Sequence, residues 1–202
     1  MKTQIFGLAF TIFVTNSFSQ QNNKKRNFIC FTPTKANTIN GLAIGLWNRP
    51  ATQNEQNFNG VNIEILGCGW VTPFLGLDDA GYITQTKHNI NGLSVGLTLL
   101  NGKVNGLTIS PTINTTFYFN GVKIGLINVD LHLANGIEVG LVNANDRHRG
   151  VSFGFYNQAN KTHGFQIGII NKTNALQGLQ IGLINSNDSR TLPLINWSSK
   201  RK

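Results

Sequence analysis

Two serines occupy the Gly-x-Ser-x-Gly pattern of a hydrolase nucleophile elbow, Gly92-Leu-Ser94-Val-Gly96 and Gly150-Val-Ser152-Phe-Gly154. In that device a sharp strand-to-helix turn presents the hydroxyl to a base and to oxyanion-stabilising amides. No helix-forming segment follows either serine, and equivalent segments carry Ala43, Lys123, Glu138, Gln166 or Gln180 in its place. The pattern therefore reads as two copies of a repeat. His88, His132, His148 and His163 show neither His-Glu-x-x-His nor paired-cysteine spacing, the arrangements that gather several ligands around one ion. Asp78 and Asp79 are adjacent carboxylates with no acid, base or ligand partner in the sequence around them, and they read as solvated. No phosphate-cradling or dinucleotide-binding loop occurs. The expectation is a protein that is not an enzyme, with no catalytic, cofactor-binding or metal-binding residue and no cofactor.

The element that carries these residues is the repeat itself. Gly121-Val-Lys-Ile-Gly125-Leu-Ile-Asn128, Gly136-Ile-Glu-Val-Gly140-Leu-Val-Asn143, Gly150-Val-Ser-Phe-Gly154-Phe-Tyr-Asn157, Gly164-Phe-Gln-Ile-Gly168-Ile-Ile-Asn171 and Gly178-Leu-Gln-Ile-Gly182-Leu-Ile-Asn185 follow one another at steps of 14 or 15 residues. Gly41-Leu-Ala-Ile-Gly45-Leu-Trp-Asn48 and Gly92-Leu-Ser-Val-Gly96 are earlier copies, and degenerate copies begin at Gly60 and Gly106. A fixed period this short means stacked units rather than an ordinary globular core. Within a unit, positions 2, 4 and 6 are apolar and position 3 is small or polar, the alternation of a strand with one buried face. Glycine at positions 1 and 5 asks for backbone freedom or close approach. Asparagine recurs at position 8, at 48, 128, 143, 157, 171 and 185, where amides stacked in register can hydrogen-bond along the axis.

The fold expected is all-β, a β-solenoid of about 14 to 15 residue coils; the alternative is an antiparallel outer-membrane β-barrel. The nearly uniform connections and the scarcity of tryptophan and tyrosine, 3 of each, favour the solenoid, because membrane barrels alternate tight turns with long loops and wear aromatic girdles. In the solenoid reading the leucines and isoleucines share a narrow dry interior. The third positions, Lys123, Glu138, Ser152, Gln166 and Gln180, then form an outward stripe able to contact a partner.

The division expected is a signal peptide at 1–19, a polar basic leader at 20–36, an irregular β region with degenerate repeats at 37–91, regular β-repeats at 92–190, and a terminal cap with a basic tail at 191–202. Ile5 to Val14 is an apolar stretch behind Lys2, ending in Ser17-Phe-Ser-Gln20, a secretory signal too short to span a bilayer as a stop-transfer helix. Cleavage after Ser19 removes Lys2 from the 17 lysines and arginines, leaving 16 against 8 acidic residues and a net charge of +8. The clusters Lys24-Lys-Arg26 and Lys200-Arg-Lys202 sit near the chain ends without interleaved aromatics, which points away from nucleic acid. Cys30 and Cys68 either pair in an oxidising compartment or remain buried thiols. Leu192-Pro193-Leu-Ile-Asn-Trp197 reads as a last partial copy whose proline stops further pairing.

The last copies, Gly164 to Asn171 and Gly178 to Asn185, with the closing Leu192 to Trp197, resemble the uncharacterised bacterial surface-repeat-containing proteins. The resemblance covers roughly 37–197 and is most specific over the final five copies. It implies an exported protein at the cell surface, outer membrane or periplasm, with no catalytic residues to carry over. The function expected is that of a cell-envelope or surface repeat protein acting as a structural or interaction module. Its partner would be an unknown envelope or surface component, with outer-membrane association possible; an integral outer-membrane β-barrel is the alternative.

Overall fold

The computed structural model describes residues 25–32, 34, 36–46, 56–66 and 88–198. The signal segment, Cys68 and Asp78-Asp79 lie outside them. The described residues are almost entirely extended and form one sheet in sequence order, β1 (Lys25–Thr32), β2 (Thr38–Gly45), β3 (Gln56–Leu66), β4 (His88–Val139), β5 (Val142–Asn187) and β6 (Arg190–Ser198). Strands β4 and β5 are each several coils long, because the ladder continues through the bends. Pairing from β1 to β5 is parallel throughout, with Gly41 opposite Gly60, Gly60 opposite Gly92 and Gly136 opposite Gly150. The chain is thus a β-solenoid, and the parallel register sets the antiparallel barrel aside.

The repeat glycines set the coil geometry. Nine of them, from Gly41 to Gly178, have φ between +111° and +144°, a region open to glycine alone. A Cβ on Gly150 would also drive into the carbonyl of Gly136 directly beneath it. Position 5 has a different reason. A Cβ on Gly154 would lie 2.7 Å from the Asn143 amide nitrogen and 2.9 Å from the Asn157 amide oxygen, so this glycine clears the path of the asparagine column. In β1 the first-position place is held by Phe28, whose φ of 79° keeps the same hand. The fifteenth residue of the Gly121 coil is absorbed as an irregularity between Asp130 and Ala134.

One expectation is overturned. The apolar positions 2, 4 and 6 face outward, and position 3 faces inward: Lys123, Glu138, Ser152, Gln166 and Gln180 are all buried, while Ile124, Leu126, Ile137, Leu141, Phe153, Phe155, Ile181 and Leu183 are exposed. The outward stripe of third positions does not exist. Alternation specifies two faces but not which is inside, and a one-residue shift of parity exchanges them. Here the inward set is positions 3, 8, 10 and 13, as in Gln166, Asn171, Thr173 and Leu176. Alternation breaks where two successive residues lie off the interior, as at Leu126-Ile127 and Asn160-Lys161, and together with the first glycine these breaks let the coil close on itself. An apolar cluster survives inside the amino-terminal coils, with Ile39, Phe58, Ile90, Val104 and Phe119.

Residues 25–32 of the leader form the first coil's strand. The closing segment is not a further coil: β6 turns back antiparallel onto β5, with Trp197 opposite Leu179 and Ile195 opposite Ile181. The reversal is local chemistry, since the Asn187 side chain accepts from the Ser189 and Arg190 amides at 2.9 and 3.0 Å.

Candidate functional site

The polar interior is a set of columns. Asn128 donates to Asn143 at 2.7 Å, and Asn143 to Asn157, Asn157 to Asn171 and Asn171 to Asn185 at 2.8 Å each. The same amide nitrogens donate to the carbonyls of Val139, Phe153, Ile167 and Ile181 in the next coil, at 2.9 to 3.1 Å. Side chain and backbone are therefore stitched together at every step. Position 3 continues the pattern: Gln180 donates to Gln166 at 2.7 Å, and Asn196 of β6 donates to Gln180 at 3.0 Å. Buried amides cost free energy unless bonded, and a strict coil repeat places a partner one step away.

Midway along the rod the columns hold charge. The Lys123 ammonium lies 2.6 Å from Asp130 Oδ1 and 4.0 Å from Glu138 Oε1, with all three side chains fully buried. It also donates to Thr116 Oγ1 at 2.8 Å and sits 4.7 Å from the centroid of the Phe119 ring, while Thr116 donates to Asp130. Glu138 accepts from Asn145 at 2.7 Å and Ser152 at 3.3 Å, and its Oε2 is 3.6 Å from His148 Nε2. Burial raises the Asp130 carboxyl to about 7 against the pull of Lys123. Burial likewise lowers His148 to about 4, with Asp130 opposing and Lys123 assisting.

The residues singled out from sequence fall as follows. Ser94 and Ser152 point into the same interior column, several coils apart, and both are buried. Ser152, Glu138 and His148 do converge, but the carboxylate lies between the hydroxyl and the imidazole. A nucleophilic triad needs the imidazole in the middle, so this is an interior polar network. His88 packs edge-on against Phe58 at 6.0 Å between ring centroids. His132 lies against Phe117 and Tyr118, and His163 is exposed. Cys30 is a buried free thiol. Among the described residues no group of three metal-ligating side chains comes together.

What the rod offers to its surroundings is the outward apolar face. Position 4 runs Phe31, Ile44, Ile63, Val95, Ile109, Ile124, Val139, Phe153, Ile167, Ile181, with positions 2 and 6 beside it equally free of polar side chains. Exposure along it is high, for example 56 % at Phe155 and 61 % at Leu183. From Phe28 to Gly178 the first positions stack in nine steps, about 43 Å at about 4.8 Å per coil, and positions 2 to 6 span about 14 Å. That is roughly 600 Å² in projection, at the top of the range for the largest apolar patch on a monomer.

Two features escaped the sequence reading. The first is the Lys123, Asp130, Glu138, His148 cluster, whose signal was opposite charge at inward positions one coil apart. The second is an outer asparagine ladder just ahead of the first-position glycines. Asn40 donates to Asn27, Asn59 to Asn40 and Asn91 to Asn59 at 2.9 Å each, and Asn105 to Asn91 at 2.8 Å. The recurrent Asn-Gly pairs 40-41, 59-60, 91-92 and 105-106 were its signature. No family model, no curated protein and no solved structure matches the chain.

Proposed function

We propose that this chain is an exported cell-envelope or surface module that acts by shape and contact, as a rigid structural or interaction rod, rather than by catalysis. The observation that carries this reading is the apolar face: large hydrophobic side chains lie outward on successive coils along the length of the described solenoid. Such a surface is costly in water and is retained where something covers it. The export element of the reading rests on the apolar Ile5 to Val14 stretch and the small residues at Ser17 and Ser19. Inside the rod, the Asn128 to Asn185 ladder ties successive coils together, so the interior acts as scaffold and the exterior as working surface.

Fractionation of producing cells tests it. The expected result is a chain beginning at Gln20, found in membrane, periplasm or medium. A full-length chain retaining Met1 to Ser19 and confined to the cytosol would overturn the proposal.

A further inference from the structure

We infer that the covering partner is an anionic lipid surface, with the outward leucine, isoleucine and phenylalanine columns seated among acyl chains and the flanking basic side chains at the phosphates. This rests on the reading of the apolar face as the working surface and names what it meets.

Folding sorts the charges by sign: three of the five described carboxylates, Glu64, Asp130 and Glu138, are buried, and only Asp146 and Asp188 reach the surface. Of the described lysines and arginines, Lys123 alone is buried, and the other eight are exposed. The exterior is therefore more basic than the composition indicates. Placement matters as much as number. Arg149 precedes Gly150 and Val151, and His163 precedes Gly164 and Phe165, so both border one edge of the apolar face. Lys172 follows Ile170 and Asn171, past the bend that ends the other edge. At the β6 end Arg190 lies 4.8 Å from the Trp197 ring, and Trp197 extends the column of second positions beyond Leu179.

An apolar face on an exterior that carries eight exposed lysines and arginines against two carboxylates among the described residues fits an anionic interface, where buried apolar area and electrostatic attraction add. A second copy is disfavoured by the same charges, since it would bring two basic exteriors together.

The processed chain purified from expressing cells is mixed with sonicated vesicles of phosphatidylcholine alone, or of phosphatidylcholine with about 30 % phosphatidylglycerol, and binding is read by flotation. Expected is binding to the anionic vesicles about tenfold or more stronger than to the neutral ones, weakened severalfold by about 0.5 M sodium chloride. The triple variant Phe153→Ser, Phe155→Ser, Phe165→Ser should lose about tenfold in binding with its far-ultraviolet circular dichroism unchanged. Because these side chains are exposed, the coil survives their loss. Arg149→Glu, on the rim, should weaken anionic binding alone. Equal binding to both vesicles, or no effect of the triple variant, overturns the inference. So does a lipid-free dimer at micromolar concentration that the triple variant makes monomeric, since the occupant is then a second copy. A chain that fractionates with the envelope yet ignores vesicles refutes the lipid partner while leaving the module reading intact; a cytosolic chain refutes the latter.

Discussion

Asn157 commits its amide to three neighbours, accepting from Asn143 and donating to Asn171 and to the Ile167 carbonyl. Asn157→Ala leaves a donor on one side and acceptors on the other without partners in a buried column, and each orphaned group costs about 1 to 3 kcal/mol. The expected loss is about 3 kcal/mol or more in urea unfolding, well above that for the exposed Asn160→Ala, where loss within about 0.5 kcal/mol is the norm. Titration in the charge cluster gives a second test. Asp130 stands at about 7 in the folded chain and 3.8 otherwise, so the folded state holds the extra proton between those values. Its contribution is full below about 4 and is lost as pH rises toward 7. His148 stands at about 4 rather than 6.5, so its contribution is full above 6.5 and is lost as pH falls toward 4. Between pH 4 and 6.5 the two slopes oppose. Asp130→Asn should therefore expose a stability that falls on acidification, and His148→Gln one that falls on alkalinisation, both read from urea midpoints across that window. Identical pH profiles in the two variants would contradict the assignment.

At the scale of the element, the period, the strand alternation and the stacking of the position 8 asparagines were legible in the sequence, because each depends only on recurrence at a fixed step. The inward parity was not. Leu, Ile and Val on every second residue look like core material, and nothing in the alternation reports that Asn171, Thr173 and Leu176 supply the inward set opposite Gln166. The interior columns also hid the candidate chemistry: Lys123 and Glu138 read as exposed because single charges usually are, and only the coil geometry shows them facing one another. The terminal element was half legible. The segment was recognisable as terminal, but Pro193 does not end the pairing, since β6 pairs with β5 on both sides of it, and the reversal into β6 is the work of the Asn187 turn. Since β6 covers the hydrogen-bonding edge of Gly178 to Asn187, removing Arg190 to Ser198 should open that edge and produce concentration-dependent association. Light scattering checks this; a truncated chain as monodisperse as the parent would show that β6 is not the guard.

For the whole molecule, a polar laddered interior from the Gly121 coil onward behind one outward apolar face inverts the usual arrangement of a water-soluble domain, and it explains why the charge cluster, the asparagine columns and the repeat glycines belong together. Each holds the coils in register so that the outward hydrophobic columns stay aligned along one face. The rod's stability comes from repeated coil-to-coil contacts that sum along the axis. Thiol accessibility measures this inversion directly. Ser152→Cys and Phe155→Cys place a cysteine at inward and outward positions three residues apart, and maleimide labelling of the lipid-free chain, located by mass spectrometry, reads which side each occupies. Predicted is rapid labelling at 155 and protection at 152 by about a hundredfold or more, since reaction there requires local opening of the coil. Rapid labelling at 152 with protection at 155 would put the leucines back inside and contradict the account.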